Sequence, residues 1–155
     1  MTEALTNARR RMEKGPTKLS FIAYIFIKYL ARCAFVLYFR LFVRNAKALP
    51  KEGPVIVSPI HRSNLDVPMM GALFQRRLHY LGKGSLMTNS IVAWLLLGCG
   101  IIPLDRDSVA DKLALDASLK ALREGKALAV FPEGERKSGP DVFPMLDGAV
   151  WLSAK

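Results

Sequence analysis

The chain holds two histidines, and one of them, His61, stands five positions before Asp66 in the run His61-Arg62-Ser63-Asn64-Leu65-Asp66. A carboxylate hydrogen-bonded to one imidazole nitrogen fixes the tautomer and stabilises the imidazolium. The other nitrogen is then left to act as a general base. On a continuous helix, residues five apart point about 140° away from each other. Pro68, however, is well placed to open a helix, which leaves His61 in a loop and Asp66 at the helix start. A turn between them can fold the carboxylate onto the ring. The same residues also suit a hydrogen-bonding loop histidine and a capping aspartate, and the spacing alone leaves both readings open.

Two further polar clusters follow. In Gly100-Ile101-Ile102-Pro103-Leu104-Asp105-Arg106 the arginine comes just after a short apolar run, where a guanidinium can grip a phosphate through two parallel hydrogen bonds. A surface ion pair with Asp105 or Asp107 is the alternative. In Phe131-Pro132-Glu133-Gly134-Glu135-Arg136-Lys137-Ser138-Gly139 an apolar run ends on a tight Pro-Glu-Gly turn that sets a carboxylate beside two cations. A solvated charged loop is the alternative there. No G-x-S-x-G is present for a serine nucleophile, and no G-x-G-x-x-G. Gly82-Lys83-Gly84-Ser85 lacks the upstream glycine of a phosphate-binding P-loop. His79, in an apolar alternation, reads as a strand residue. Cys33 and Cys99 are far apart in apolar stretches with no C-x-x-C, which argues against structural zinc or a disulfide scaffold and predicts buried free thiols.

The elements that must position these clusters are legible in outline. Val55–Val57, Leu78–Leu81, Ile101–Leu104 and Ala127–Phe131 read as short buried strands. Helical stretches lie between them: Pro68 to about Gln75, residues 88–97, and a segment started by Ser108 and Asp111 as a capping box, with Leu115, Leu119 and Leu122 on one face. A last helix begins near Asp147. Strands alternating with helices predict an α/β fold with a mostly parallel sheet and flanking helices. Functional loops in such sheets leave the C-terminal strand ends, which is where the three clusters fall.

The N-terminal third is different in kind. Residues 1–50 carry ten Lys/Arg against two Glu, a charge of +8, whereas residues 51–155 carry thirteen against eleven, only +2. A nucleic-acid-binding domain would spread its basic patch over the folded body, so the distribution favours a membrane surface and disfavours nucleic acid. Residues 1–18, with Gly15-Pro16, are expected to be a basic flexible arm. Residues 19–44 are mostly apolar and aromatic, but Lys28 and Arg32 interrupt the run, which is short of the roughly 20 residues that a span requires. At helical spacing Lys18, Lys28, Arg32, Arg40 and Arg44 share one side. An amphipathic membrane-binding helical segment is expected, with its cations towards lipid phosphates; an amphipathic helix packed on the protein's own core, or a tilted span with snorkelling cations, are the alternatives.

Taken in order, the three clusters resemble those of the glycerolipid acyltransferases, in particular the 1-acylglycerol-3-phosphate (lysophosphatidic acid) acyltransferase group. His61, Ser63 and Asp66 match an Asn-His-x-Ser-x-x-Asp motif in which Ile60 replaces the asparagine. Gly100 to Arg106 is similar to the second motif. Phe131 to Arg136 is similar to the third, with Glu135 where threonine is common, and Lys83 falls near a lysine often seen before the second. The resemblance implies acyl transfer from acyl-CoA or acyl-carrier protein, as co-substrate with no further cofactor, to the free hydroxyl of a lysophospholipid. It implies His61 and Asp66 as the catalytic pair. Arg106, Glu133, Gly134, Arg136, Lys83 and Ser63 would hold the acceptor, with Glu133 set to position Arg106 or Arg136 or to bind a glycerol hydroxyl. Residues 45–155 would be the N-terminal two-thirds of such a domain, without the fourth motif, at the cytoplasmic face of a membrane. Another lysolipid or amino-lipid acceptor, or a non-catalytic membrane-bound remnant, are the alternatives.

Overall fold

The computed structural model describes residues 3–45, 48–105 and 111–155. Four strands form one sheet: β1 (Val55–Val57), β2 (Leu78–Lys83), β3 (Ile101–Leu104) and β4 (Ala127–Ala129). All are parallel, in the order β1-β4-β2-β3. This is the expected α/β architecture. The helices that connect the strands are α3 (Asp66–Leu73), α4 (Ser90–Gly98) and α5 (Lys112–Arg123), and α6 (Gly148–Ser153) follows β4. Helix α4 starts where Asn89 Oδ1 accepts the N–H groups of Ile91 and Val92. Helix α5 starts where Asp111 accepts the Ala114 N–H, satisfying donors that the first turn cannot pair. Asp111 is thus itself the N-cap, and the expected capping residue Ser108 lies outside the described residues.

Alternation along the strands fills two cores. Leu78, Tyr80, Ala127 and Ala129 face Met70 of α3 and Ala93 of α4. Ile102, Leu128 and Val130 face Ala114 of α5 and Leu152 of α6. Ala127, Leu128 and Ala129 are wholly buried, because β4 lies inside the sheet and is covered on both faces. Gly100 turns the chain from α4 into β3 at φ +92, where a Cβ would come within 2.9 Å of the Leu78 carbonyl oxygen.

The N-terminal arm departs from expectation. Glu3–Glu13 is a helix, α1, with Leu5, Ala8 and Arg9 buried. Leu5, Ala8, Arg9 and Met12 recur at the spacing of one helical face, and Ala8 joins the first core while Met12 packs on the second. Arg9 pairs with the buried Asp111 carboxylate, which fastens α1 to the start of α5.

The apolar segment is helical over Lys18–Cys33 (α2) and continues as a wider turn over Ala34–Tyr38. Thr17 caps it by accepting the Ser20 N–H at 3.1 Å. It stops short of residue 44: Arg40 takes a left-handed backbone, φ 53, so Arg40 and Arg44 do not belong to the helix. Two of the expected cations also have partners within the chain. Lys28 Nζ donates to the Gln75 carbonyl at 3.3 Å, and Arg32 donates to the carbonyls of Ala72 and Leu73 at 3.4 and 3.2 Å. These are unpaired carbonyls at and just past the C-terminal end of α3, which a cation satisfies both as donor and as charge. Tyr24 and Phe35 are buried on the same side, while Leu19, Ile22, Phe26, Tyr29, Leu30 and Leu37 are exposed. Much of the helix's exposed surface is therefore apolar, with Lys18 and Arg32 exposed as well. Over Lys18–Tyr38 it is long and apolar enough to cross a membrane. Cys33 is exposed on this helix and Cys99 half-buried, so the thiols are free but not both buried as expected.

Candidate active site

The chain leaves β1 through Ser58-Pro59-Ile60 and reaches His61 at the C-terminal edge of the sheet. Asp66 opens α3, where a negative charge suits the helix dipole. Between them the loop turns tightly: Asp66 N–H donates to the Ser63 carbonyl at 3.3 Å, and Ser63 Oγ accepts the Leu65 N–H at 3.1 Å. One carboxylate oxygen, Asp66 Oδ2, then collects three donors, each at 2.8 Å: His61 Nδ1–H and the backbone N–H groups of Arg62 and Ser63. Burial alone would raise the Asp66 pKa. The bonds from Ser63, His61 and Arg62 outweigh it and hold the carboxyl below its usual range. With Nδ1–H committed to the carboxylate, Nε2 is the nitrogen that carries the acceptor lone pair.

The ring is fixed from a second direction. It stacks on Phe131, centroids 4.1 Å apart and planes 24° apart. Phe131 follows the end of β4, the neighbour of β1, so strand order brings the first and third clusters together. At Glu133 one carboxylate oxygen accepts the His61 N–H at 2.8 Å and the other an Arg62 N–H at 2.5 Å. The His61 bond and the Arg62 guanidinium hold the Glu133 carboxyl below its usual range. Gly134 takes φ +70, a backbone that favours glycine.

A cavity of about 830 Å³ opens at this edge. His61, Lys83, Gly134 and Arg136 line it, together with apolar side chains such as Leu81, Leu96 and Ile101. Lys83 ends β2 and is exposed, as is Arg136. No hydrogen bond or ion pair to another described residue engages Arg136. Asp66, Ser63 and Glu133 stand behind the wall and do not line the cavity. Arg106 lies outside the described residues. The cation against Glu133 is Arg62, not Arg136, and Glu135 pairs with Lys137 at 2.6 Å. Arg62 and Phe131 are the residues whose roles the sequence reading missed. Both lay inside the quoted motifs, but only their distance from His61 in space gives them a part. His79 sits on β2 with its ring half-buried against the Ala127 carbonyl. Burial, with Arg77 and Lys126 nearby, pushes its pKa down to about 4, so it is neutral at pH 7.

Fold and site together define an α/β protein with a carboxylate-oriented histidine, backed by an aromatic ring, at the mouth of a mainly apolar cavity. The chain belongs to the Acyltransferase family, whose model matches residues 40–155. It is similar to proteins named 1-acyl-sn-glycerol-3-phosphate acyltransferase from three bacteria. The identity is 27% with that of Borreliella burgdorferi, covering 75% of this chain and 47% of the relative. For Bacillus subtilis it is 29%, covering 72% and 55%, and for Streptococcus pneumoniae 32%, covering 61% and 36%. The chain spans about half the length of the first two relatives.

Proposed function

We propose that this protein transfers an acyl group from a thioester, acyl-CoA or acyl-carrier protein, to the free hydroxyl of a lysophospholipid, converting 1-acylglycerol 3-phosphate to phosphatidic acid. The observation that carries the reading is the His61–Asp66 hydrogen bond at the cavity mouth. His61 Nε2 takes the proton of the acceptor hydroxyl as its oxygen attacks the thioester carbonyl carbon. The C–S bond breaks, the thiolate leaves, and the imidazolium, steadied by Asp66, returns the proton to it. The attack is direct, so no acyl-enzyme forms. Lys83, Arg106 and Arg136 supply positive charge for the acceptor's phosphate, and Gly134 leaves room at the wall. The apolar wall of the cavity suits alkyl chains. The outward face of α2 suits the surface of a membrane, where such acceptors reside, and the +8 charge of residues 1–50 favours an anionic cytoplasmic leaflet.

The test is acyl transfer in mixed micelles by the chain as it stands, with acyl-CoA and acyl-carrier-protein donors. Acceptors with and without a phosphate monoester are compared. Turnover that requires His61 and prefers the phosphate monoester is expected. Turnover that survives His61→Ala overturns the base assignment. Equal losses on both acceptors in Arg136→Ala and Arg106→Ala overturn the phosphate assignment.

A further inference from the structure

The histidine's backbone is gripped as firmly as its ring, and by residues of the β4–α6 loop far along the chain. Its N–H donates to Glu133 Oε2 across a separation of 72 residues. Its carbonyl accepts the Lys137 N–H at 3.0 Å and an Arg62 N–H at 3.3 Å. Arg62 spans the junction. One arm reaches Glu133 Oε1, the other donates to the Asp141 carbonyl at 3.0 Å, and the guanidinium lies 5.4 Å from the Phe143 ring centroid. The Glu133 side chain is 1% exposed and is not part of the cavity wall. A buried carboxylate so placed needs a partner charge, and Arg62 provides it. Both Glu133 oxygens are thus engaged by the histidine loop, and neither faces the space where an acceptor would lie.

We infer that Arg62 and Glu133 are positioning residues: together they lock the β4–α6 loop onto His61 and so aim Nε2, and Glu133 does not contact the acceptor. This rests on the reading of His61 as the base, and it gives Arg62 a task that no motif match supplies. Displacing a catalytic group by about 1 Å costs on the order of 10²-fold in rate. Loss of the lock should therefore lower kcat by about 10–100-fold and leave the KM for the acceptor within about twofold. Because the two side chains act as one device, the double variant should lose about as much as the worse single one, not the product of both losses.

The experiment uses the full chain and the variants Arg62→Lys, Glu133→Gln and their combination. Steady-state acyl transfer is measured, and the histidine ring signals of free, isotope-labelled protein are recorded. With two histidines present, and His79 half-buried on β2, each signal is assigned by one substitution. The lock predicts a lower kcat, a held KM, non-additive losses and a moved or broadened His61 signal in the absence of substrate, with His79 unchanged. Arg62→Lys keeps the charge but not the fork, and should fall between the wild type and Glu133→Gln. A raised acceptor KM with an unmoved His61 signal, or losses that multiply, overturns the inference. Arg62 is partly exposed, so Arg62→Lys carries the comparison if Glu133→Gln proves unstable. Were His61→Ala to keep its turnover, the reading of His61 as the base would fall, while the ring signals would still judge the lock on their own.

Discussion

His61, held by Asp66 through Nδ1 and by Phe131 across its face, has two constraints that can be removed separately. His61→Ala removes the proton acceptor and is expected to lower kcat by about 10²–10⁴ with any acceptor. Asp66→Asn keeps the shape, but its amide oxygen is a weaker acceptor for three N–H groups. A smaller loss of kcat and a lower Tm are expected, read by steady-state assay and thermal melting. The carboxyls also set the acid limit of the fold. Asp66 and Glu133 both have folded-state pKa values below their ordinary ones. Each therefore contributes stability that is complete above the unfolded values, about 3.9 and 4.3. That contribution is lost as the pH falls through the lowered folded values. Melting between pH 6 and pH 2.5 should show Tm dropping below about pH 4. The drop should be shallower in Glu133→Gln, which has one fewer carboxyl to protonate; an equally steep drop would show that Glu133 contributes no acid sensitivity.

Among the elements, Gly134 and the α2–α3 contact make separate predictions. A Cβ at Gly134 would come within 2.9 Å of Leu146 Cδ1, a side chain exposed enough to swing aside. The backbone conformation then decides the outcome. Gly134→Ala should cost about 1–2 kcal/mol and Gly134→Asn less, because asparagine tolerates the left-handed region; urea unfolding measures both. Arg32→Ala removes two bonds to the α3 carbonyls and should lower stability by about 0.5–1.5 kcal/mol. The four strands, the last four helices and the meeting of the first and third clusters at one sheet edge were legible, because each strand is a short apolar run ended by a turn signal. What escaped was non-local. Helix α1 looked like an arm because its charges outnumber its apolar residues. The Leu5, Ala8, Met12 spacing did mark a face, but Arg9's partner is 102 residues away. The carbonyl partners of Lys28 and Arg32 were not recoverable, because they depend on where α3 ends. Glu133 was singled out, yet its partner Arg62 became visible only once β1 and β4 lay side by side.

For the molecule as a whole, the exposed apolar residues of α2 and the bonding of Lys28 and Arg32 to carbonyls at the end of α3 separate two modes of membrane attachment. If the face itself enters the lipid, Phe26→Ser and Leu30→Ser should each weaken flotation with anionic vesicles. Fully burying such a side chain is worth about 1.5–3 kcal/mol, so each loss should be roughly 10–100-fold. Arg32→Ala should leave flotation unchanged while lowering Tm. The opposite pattern, with flotation lost in Arg32→Ala and kept in the serine variants, would restore attachment through the cations.

The order β1-β4-β2-β3 also governs how the chain comes off the ribosome. Among the described residues β1 pairs with no strand but β4, and β4 is the last of the four to be made. At about 5–20 residues per second, the nascent chain spends several seconds with β1 unpaired along both edges and β2 unpaired along one. Open edges of this kind invite pairing with other chains, so this interval is when the protein is most exposed to aggregation and to chaperone capture. Helix α2 emerges well before it. The strand that joins β1 to β2 also delivers Phe131 and Glu133 to His61, so the histidine gains its surroundings in the same step that pairs those two edges.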